Sequence, residues 1–104
     1  MAKRDDIKVL MKEEIQKMLK DFPGWAEKDN KIFKEFKFQN FMNALSFIVK
    51  LSSFFERNDH HPDITIMYSK VKFELQRFDI GGKITNLDFM IAKEIEREYA
   101  SKTT

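Results

Sequence analysis

The chain has 104 residues, 42% hydrophobic and 35% charged, with Lys+Arg 19 against Asp+Glu 17, Phe 11 and no cysteine. That length suits a single domain over residues 1–104 with a modest core, and the apolar, Phe-rich composition excludes a disordered chain. The missing cysteines exclude disulfides, thiolate catalysis and cysteine-based zinc sites, and no apolar run approaches the ~20 residues of a membrane span.

Met1-Ala2-Lys3-Arg4-Asp5-Asp6 runs straight into a helical pattern and does not read as a signal peptide. A soluble, cytoplasmic domain is expected. The first periodic segment extends from about Asp6 to Phe22, with Met11, Ile15, Met18, Leu19 and Phe22 on one helical face. Pro23-Gly24 stops it, because proline disfavours helix in the residue before it and glycine accepts turn geometry. Trp25 to Lys28 reads as a short strand and Asp29-Asn30 as a turn. Ile32, Phe36 and Phe38 then alternate with Phe33, Glu35 and Lys37, a half-buried strand with Lys34 as its one irregularity.

From about Asn40 to Arg57 the helical period returns, with Phe41, Ala44, Leu45, Ile48, Leu51 and Phe55 in a broad stripe. Met42, Phe47, Val49 and Phe54 lie off the stripe, more apolar surface than a small monomer needs, which is explained by a subunit interface or by loops that cover the helix. Asn58 to Asp63 breaks this helix. Beyond it Met67, Val71, Phe73 and Leu75 alternate with Tyr68, Lys70, Lys72, Glu74 and Gln76. That pattern predicts one strand of more than ten residues, a natural sheet edge that Lys70 and Lys72 would moderate. Asp79-Ile80-Gly81-Gly82 is a turn, and Thr85-Asn86-Leu87-Asp88 resembles a capping box opening a last helix with Leu87, Ile91, Ile95 and Tyr99 aligned. Ala100 to Thr104 reads as a frayed tail. The residues alone thus give α-β-β-α-β-α, an antiparallel sheet with helices on one face. No basic block interrupts the interleaved charges, so direct nucleic-acid binding is not expected.

Chemistry concentrates at His60 and His61, the only two histidines, adjacent and followed by Pro62. An imidazole titrates near ~6.5, so such a pair could supply an acid and a base to one substrate. The competing reading is two polar residues in an exposed connection. A metal site is disfavoured, since adjacent histidines rarely aim at one ion and only Glu56, Asp59 and Asp63 could complete it. Glu56 lies one helical turn before His60, placed to orient its ring or simply solvated at a helix end. Asp88 reads first as a helix cap.

Glu56-Arg57-Asn58-Asp59-His60-His61-Pro62, followed after five residues by Tyr68, resembles the signature of the pterin-4a-carbinolamine dehydratases. Pro23-Gly24-Trp25, the strand over 32–38, the aromatic-rich helix, Gly81-Gly82 and Leu87-Asp88-Phe89 resemble that family in the same order, over nearly the whole chain. The resemblance implies an α+β fold, a four-stranded antiparallel sheet with three helices on one face, ordered α-β-β-α-β-β-α with a short last strand. It implies dehydration of a 4a-hydroxy-tetrahydropterin to the quinonoid dihydropterin in tetrahydrobiopterin recycling, without metal or organic cofactor. It further implies a homodimer or homotetramer. By the same resemblance His60, His61 and Glu56 are catalytic, with Glu56 orienting His60. Asp59, His60, His61, Gln76, Arg77, Phe78 and Asp79 line the pterin pocket. The sequence departs from the family where a third histidine, or occasionally tryptophan, is usual: Phe78 stands there and cannot move a proton. Lys83-Ile84 also replaces a single apolar position after Gly82. These departures keep a second reading open, a weak or inactive member acting as a protein-binding dimerisation or assembly factor.

Overall fold

The computed structural model describes residues 7–77 and 81–102. Its elements are α1 (Lys12–Leu19), β1 (Ala26–Lys28), β2 (Lys31–Lys37), α2 (Phe41–Arg57), β3 (Asp63–Met67), β4 (Lys70–Leu75) and α3 (Asn86–Lys102). The four strands form one antiparallel sheet in the order β1-β2-β4-β3. Three helices and a four-stranded sheet in the order α-β-β-α-β-β-α are the architecture that the resemblance implies.

The sheet has one buried face. Ile32 and Phe36 of β2 lie opposite Leu75 and Val71 of β4, and all four are buried with Phe73. Phe36 sits at the centre of an aromatic cluster, its ring meeting Trp25, Phe47, Phe73 and Tyr99 at centroid distances of 4.9 to 6.1 Å. Edge-to-face pairs of this kind add to simple area burial because ring edges are positive and faces negative. Helix α2 contributes Ala44, Phe47, Leu51 and Phe55 to this core, and α3 contributes Ile91, Ala92 and Ile95. Phe47 is fully buried, so it belongs to the core and not to an outer face.

The irregularity at Lys34 has a physical reason. It shares the inward face with Ile32 and Phe36, where its ammonium donates to Glu96 and, at 3.1 Å, to the Pro23 carbonyl. Glu96 also accepts the Trp25 indole N–H at 2.8 Å. Gly24 lets this happen: a Cβ there would fall 2.8 Å from Lys34 Cε, and its φ of +89° favours glycine. Glu96→Ala would leave the Lys34 and Trp25 donors without their shared acceptor. A loss of about 1–3 kcal/mol is expected in urea denaturation, and an unchanged midpoint would contradict this account.

Several expectations are corrected. Helix α1 starts at Lys12 because Val9 pairs with Thr85 and Leu10 N–H donates to Ile84 O, which holds the preceding segment extended. Asp6 lies outside the described residues. Glu14 caps the start, accepting Met11 N–H at 2.8 Å and facing Lys8 Nζ at 3.1 Å. The Met11 bond first, then Lys8, holds its carboxyl below the usual range. Residues 20–22 continue only as turns with bonds three residues back.

The expected long strand is a hairpin. Met67 pairs with Lys70 across a two-residue turn in which Tyr68 is left-handed at φ 56°. The fourth strand is therefore β3, before this turn, and no further strand is needed. β4 is central, β3 is the edge, and Lys70 and Lys72 do not guard it. Lastly, α3 runs through Lys102, so residues 100–102 are helical.

Candidate functional site

Helix α2 delivers the two histidines through its C-terminal cap. Asn58 ends the helix, and its side chain donates to Phe54 O at 2.9 Å. Asp59 N–H then bonds Glu56 O at 3.1 Å and His60 N–H bonds Phe55 O at 3.2 Å, the paired bonds of a Schellman ending. Such an ending wants a left-handed residue after the cap, usually glycine. Here that residue is Asp59, at φ 48°. Asparagine and aspartate tolerate this region best among residues with a side chain, at some cost. Asp59→Gly would remove the strain but add freedom to the unfolded chain, for a net gain of up to about 1 kcal/mol. Denaturant titration checks this, and a clear loss of stability would mean that the Asp59 side chain itself holds the loop.

The two rings are sent to different environments. His60 is buried at 4% exposure, and its Nε2 meets Asp88 Oδ1, itself fully buried. Asp88 Oδ2 accepts Thr85 N–H at 2.8 Å, while Thr85 Oγ1 accepts Leu87 N–H at 3.2 Å. Asp88 is thus both the helix cap expected of it and the partner of His60. His61 is exposed, and its Nε2 meets Glu56 Oε1 on the last turn of α2. Glu56 therefore orients His61 and not His60, because the chain reverses direction at Asp59 and turns the second ring, not the first, back over the helix.

This arrangement sets tautomers. A carboxylate has only lone pairs to offer, so His60 presents Nε2–H to Asp88. Its Nδ1 is left as the edge with a free lone pair when the ring is neutral. Each of the two imidazoles is thus held by its own carboxylate, His60 by Asp88 and His61 by Glu56.

Gln76 and Arg77 continue the chain beyond β4, and both are buried. Gln76 Nε2 donates to Asn30 O at 3.3 Å, and a Cβ on Gly82 would fall 2.7 Å from Gln76 Oε1. Arg77 is buried at 6% exposure and donates from Nη1 to Asp59 O at 3.1 Å. Phe78 and Asp79 lie outside the described residues. Among the described residues no three His, Asp or Glu side chains form a group able to hold a metal ion. No described helix is long and apolar enough to cross a membrane. Two clefts, of about 490 and 400 Å³, occur at Phe22, Lys34 and Glu96 and at Leu10, Glu27 and Ile84, and neither histidine lines them.

The role of Asp88 toward His60 was not legible in the sequence, since 28 residues separate them. Only the capping box hinted that Asp88 would sit at a fixed place. The Arg77 contact with the histidine loop had no local signal at all.

A family model described as pterin 4 alpha carbinolamine dehydratase matches residues 8–98. A protein of Picosynechococcus sp., provisionally named a pterin-4-alpha-carbinolamine dehydratase, is 49% identical over 79 residues, 76% of this chain and 85% of its own. One of Sulfolobus acidocaldarius with the same provisional name is 38% identical over 84 residues, 81% of this chain and 91% of its own. Among solved structures, a transcriptional coactivator/pterin dehydratase from Brucella melitensis superposes with a TM-score of 0.82 at 27% identity, covering 88% of this chain and 98% of that one.

Proposed function

The chain belongs to the pterin 4 alpha carbinolamine dehydratase family, and from that premise we propose that it dehydrates a 4a-hydroxy-tetrahydropterin to the quinonoid dihydropterin in tetrahydrobiopterin recycling. The observation that carries this reading is the pair of imidazoles, each held by a carboxylate, at the end of α2. Hydroxide is a poor leaving group, so the 4a oxygen must gain a proton as it departs while N5 loses one. His60, with Nε2–H committed to Asp88, offers Nδ1 to accept the N5 proton. His61, reaching outward beside Glu56, donates a proton to the 4a hydroxyl. The N5 electron pair then forms the C=N bond as water leaves. By the family resemblance the pterin is met by Asp59, His60, His61, Gln76, Phe78 and Asp79, and a phenylalanine can stack on its ring but cannot move a proton. Enzyme in catalytic amount is expected to speed the appearance of quinonoid product. A rate equal to that of buffer would reject the proposal.

The surface favours a homo-oligomer, dimer or tetramer. Met42 is 67% exposed and Val49 62% exposed on the outer side of α2, and Ile64 and Ile66 are open on edge strand β3. Exposed apolar side chains on a helix and on a sheet edge of a small domain are the kind of surface that a partner covers. The same face supports the second reading, a dimerisation or assembly factor for another protein, and Phe78 in place of the usual third histidine agrees with it. Met42→Lys with Val49→Lys is expected to reduce the native mass measured by light scattering to that of a monomer. An unchanged mass would exclude this face as the interface.

A further inference from the structure

We infer that Arg77 is a positioning residue, a buried strut that fixes the Asp59-His60-His61 loop so that both imidazoles meet their substrate in register. This inference rests on the proposed acid/base role of the two histidines and reassigns Arg77 from pterin contact to support. Its anchor is rigid. Arg77 N–H bonds Lys83 O at 2.9 Å and Gly82 N–H bonds Arg77 O at 2.9 Å, so its backbone is clamped at the end of the central strand. Its side chain follows the inward alternation of Val71, Phe73 and Leu75 and is as buried as a core residue. From there Nη1 reaches the carbonyl of Asp59 at 3.1 Å.

The carbonyl it grips belongs to the one left-handed residue of the loop, immediately before His60. A strained residue persists only when its surroundings over-determine it. The two Schellman bonds fix the N–H groups of Asp59 and His60, and Arg77 fixes the carbonyl of the peptide that joins them. That peptide plane sets the direction in which the His60 ring leaves the chain and, one residue later, that of His61. A guanidinium just beyond the end of α2 also meets the negative end of the helix dipole, which offsets part of the cost of burying its charge. Arg77 is thus tied from the core side to the backbone of the histidine loop.

The test compares Arg77→Met and Arg77→Lys with the wild-type protein and with Arg97→Met, a surface control. Two readouts are taken: steady-state dehydration of 4a-hydroxy-tetrahydropterin, and the imidazole ¹⁵N and ¹H signals of His60 and His61 without substrate. Arg77→Met is expected to lower kcat about 10- to 100-fold with KM changed less than about threefold, the result of misplaced reacting groups. It should shift both imidazole signal sets, and Arg77→Lys, which keeps one donor, should recover most of kcat. A raised KM with unchanged kcat and unchanged imidazole signals would make Arg77 a pterin contact and overturn the inference. A lowered melting temperature with wild-type kcat in the folded fraction and unchanged imidazole signals would reduce Arg77 to a stability role and overturn it as well. If the wild-type protein shows no dehydration, the dehydratase reading fails, and the imidazole signals alone decide whether Arg77 sets the loop. If Arg77→Met does not fold, Arg77→Lys still decides through its KM, kcat and spectra.

Discussion

Asp88→Asn is expected to keep most of the stability of the fold while lowering turnover by about 10²-fold or more. The asparagine amide oxygen must face Thr85 N–H, the donor that Asp88 Oδ2 accepts at 2.8 Å. Its NH₂ then faces His60 Nε2, two donors cannot meet, and the ring is driven to carry its proton on Nδ1 instead. His60 would thereby lose the lone pair proposed to take the N5 proton. Asp88→Ala is harsher, since it strips acceptors from both Thr85 N–H and His60 in a fully buried place. Each buried donor left unpaired costs about 1–3 kcal/mol, a large part of the ~5–15 kcal/mol that holds a domain folded. Urea denaturation and kcat measured side by side separate the two variants. Wild-type turnover in Asp88→Asn would show that the tautomer of His60 plays no part.

His61→Ala should spare stability, unlike Asp88→Ala, and should lower activity as Asp88→Asn does. Both His61 and Glu56 are largely open to solvent, with side chains 54% and 74% exposed. An ion pair at such a surface contributes about 0–1 kcal/mol, so the melting temperature and the native mass should scarcely change. Turnover should nonetheless fall about 10²- to 10⁴-fold, the usual contribution of a general acid or base. This variant divides the two functional readings. A protein that serves only as an assembly factor has no use for an exposed imidazole. Undiminished dehydration by His61→Ala would remove this residue from the catalytic assignment.

The fold was largely legible because its signals are local. The α2 boundaries followed from the return of the helical period near Asn40, whose side chain the structure shows accepting Asn43 N–H at 2.8 Å, and from the break at Asn58. The α3 start followed from the capping box. The hairpin of β3 and β4 was misread because Lys70, Lys72 and Glu74 keep strict alternation with Val71, Phe73 and Leu75 right up to the turn. Tyr68, a bulky residue in left-handed geometry, gave no turn signal of the Gly or Asn kind. Ile64-Thr65-Ile66 was the overlooked evidence for β3, a β-branched run beside the proline.

At the candidate site, the adjacent histidines marked the place, but the partner of each ring depended on the direction of the chain at Asp59. Helical spacing paired Glu56 with His60, four residues on, whereas the reversal at Asp59 pairs it with His61. Asp88 and Arg77 arrive from distant elements, and no spacing rule along the chain announces such meetings.

The most direct test of the central claim is the stopped-flow absorbance decay of freshly generated 4a-hydroxy-tetrahydropterin, with each 4a epimer followed separately in the presence and absence of the protein. Two carboxylate-held imidazoles predict acceleration of at least one epimer, lost in Asp88→Asn and in His61→Ala. Decay at the buffer rate for both epimers, with the protein confirmed folded, would contradict the account.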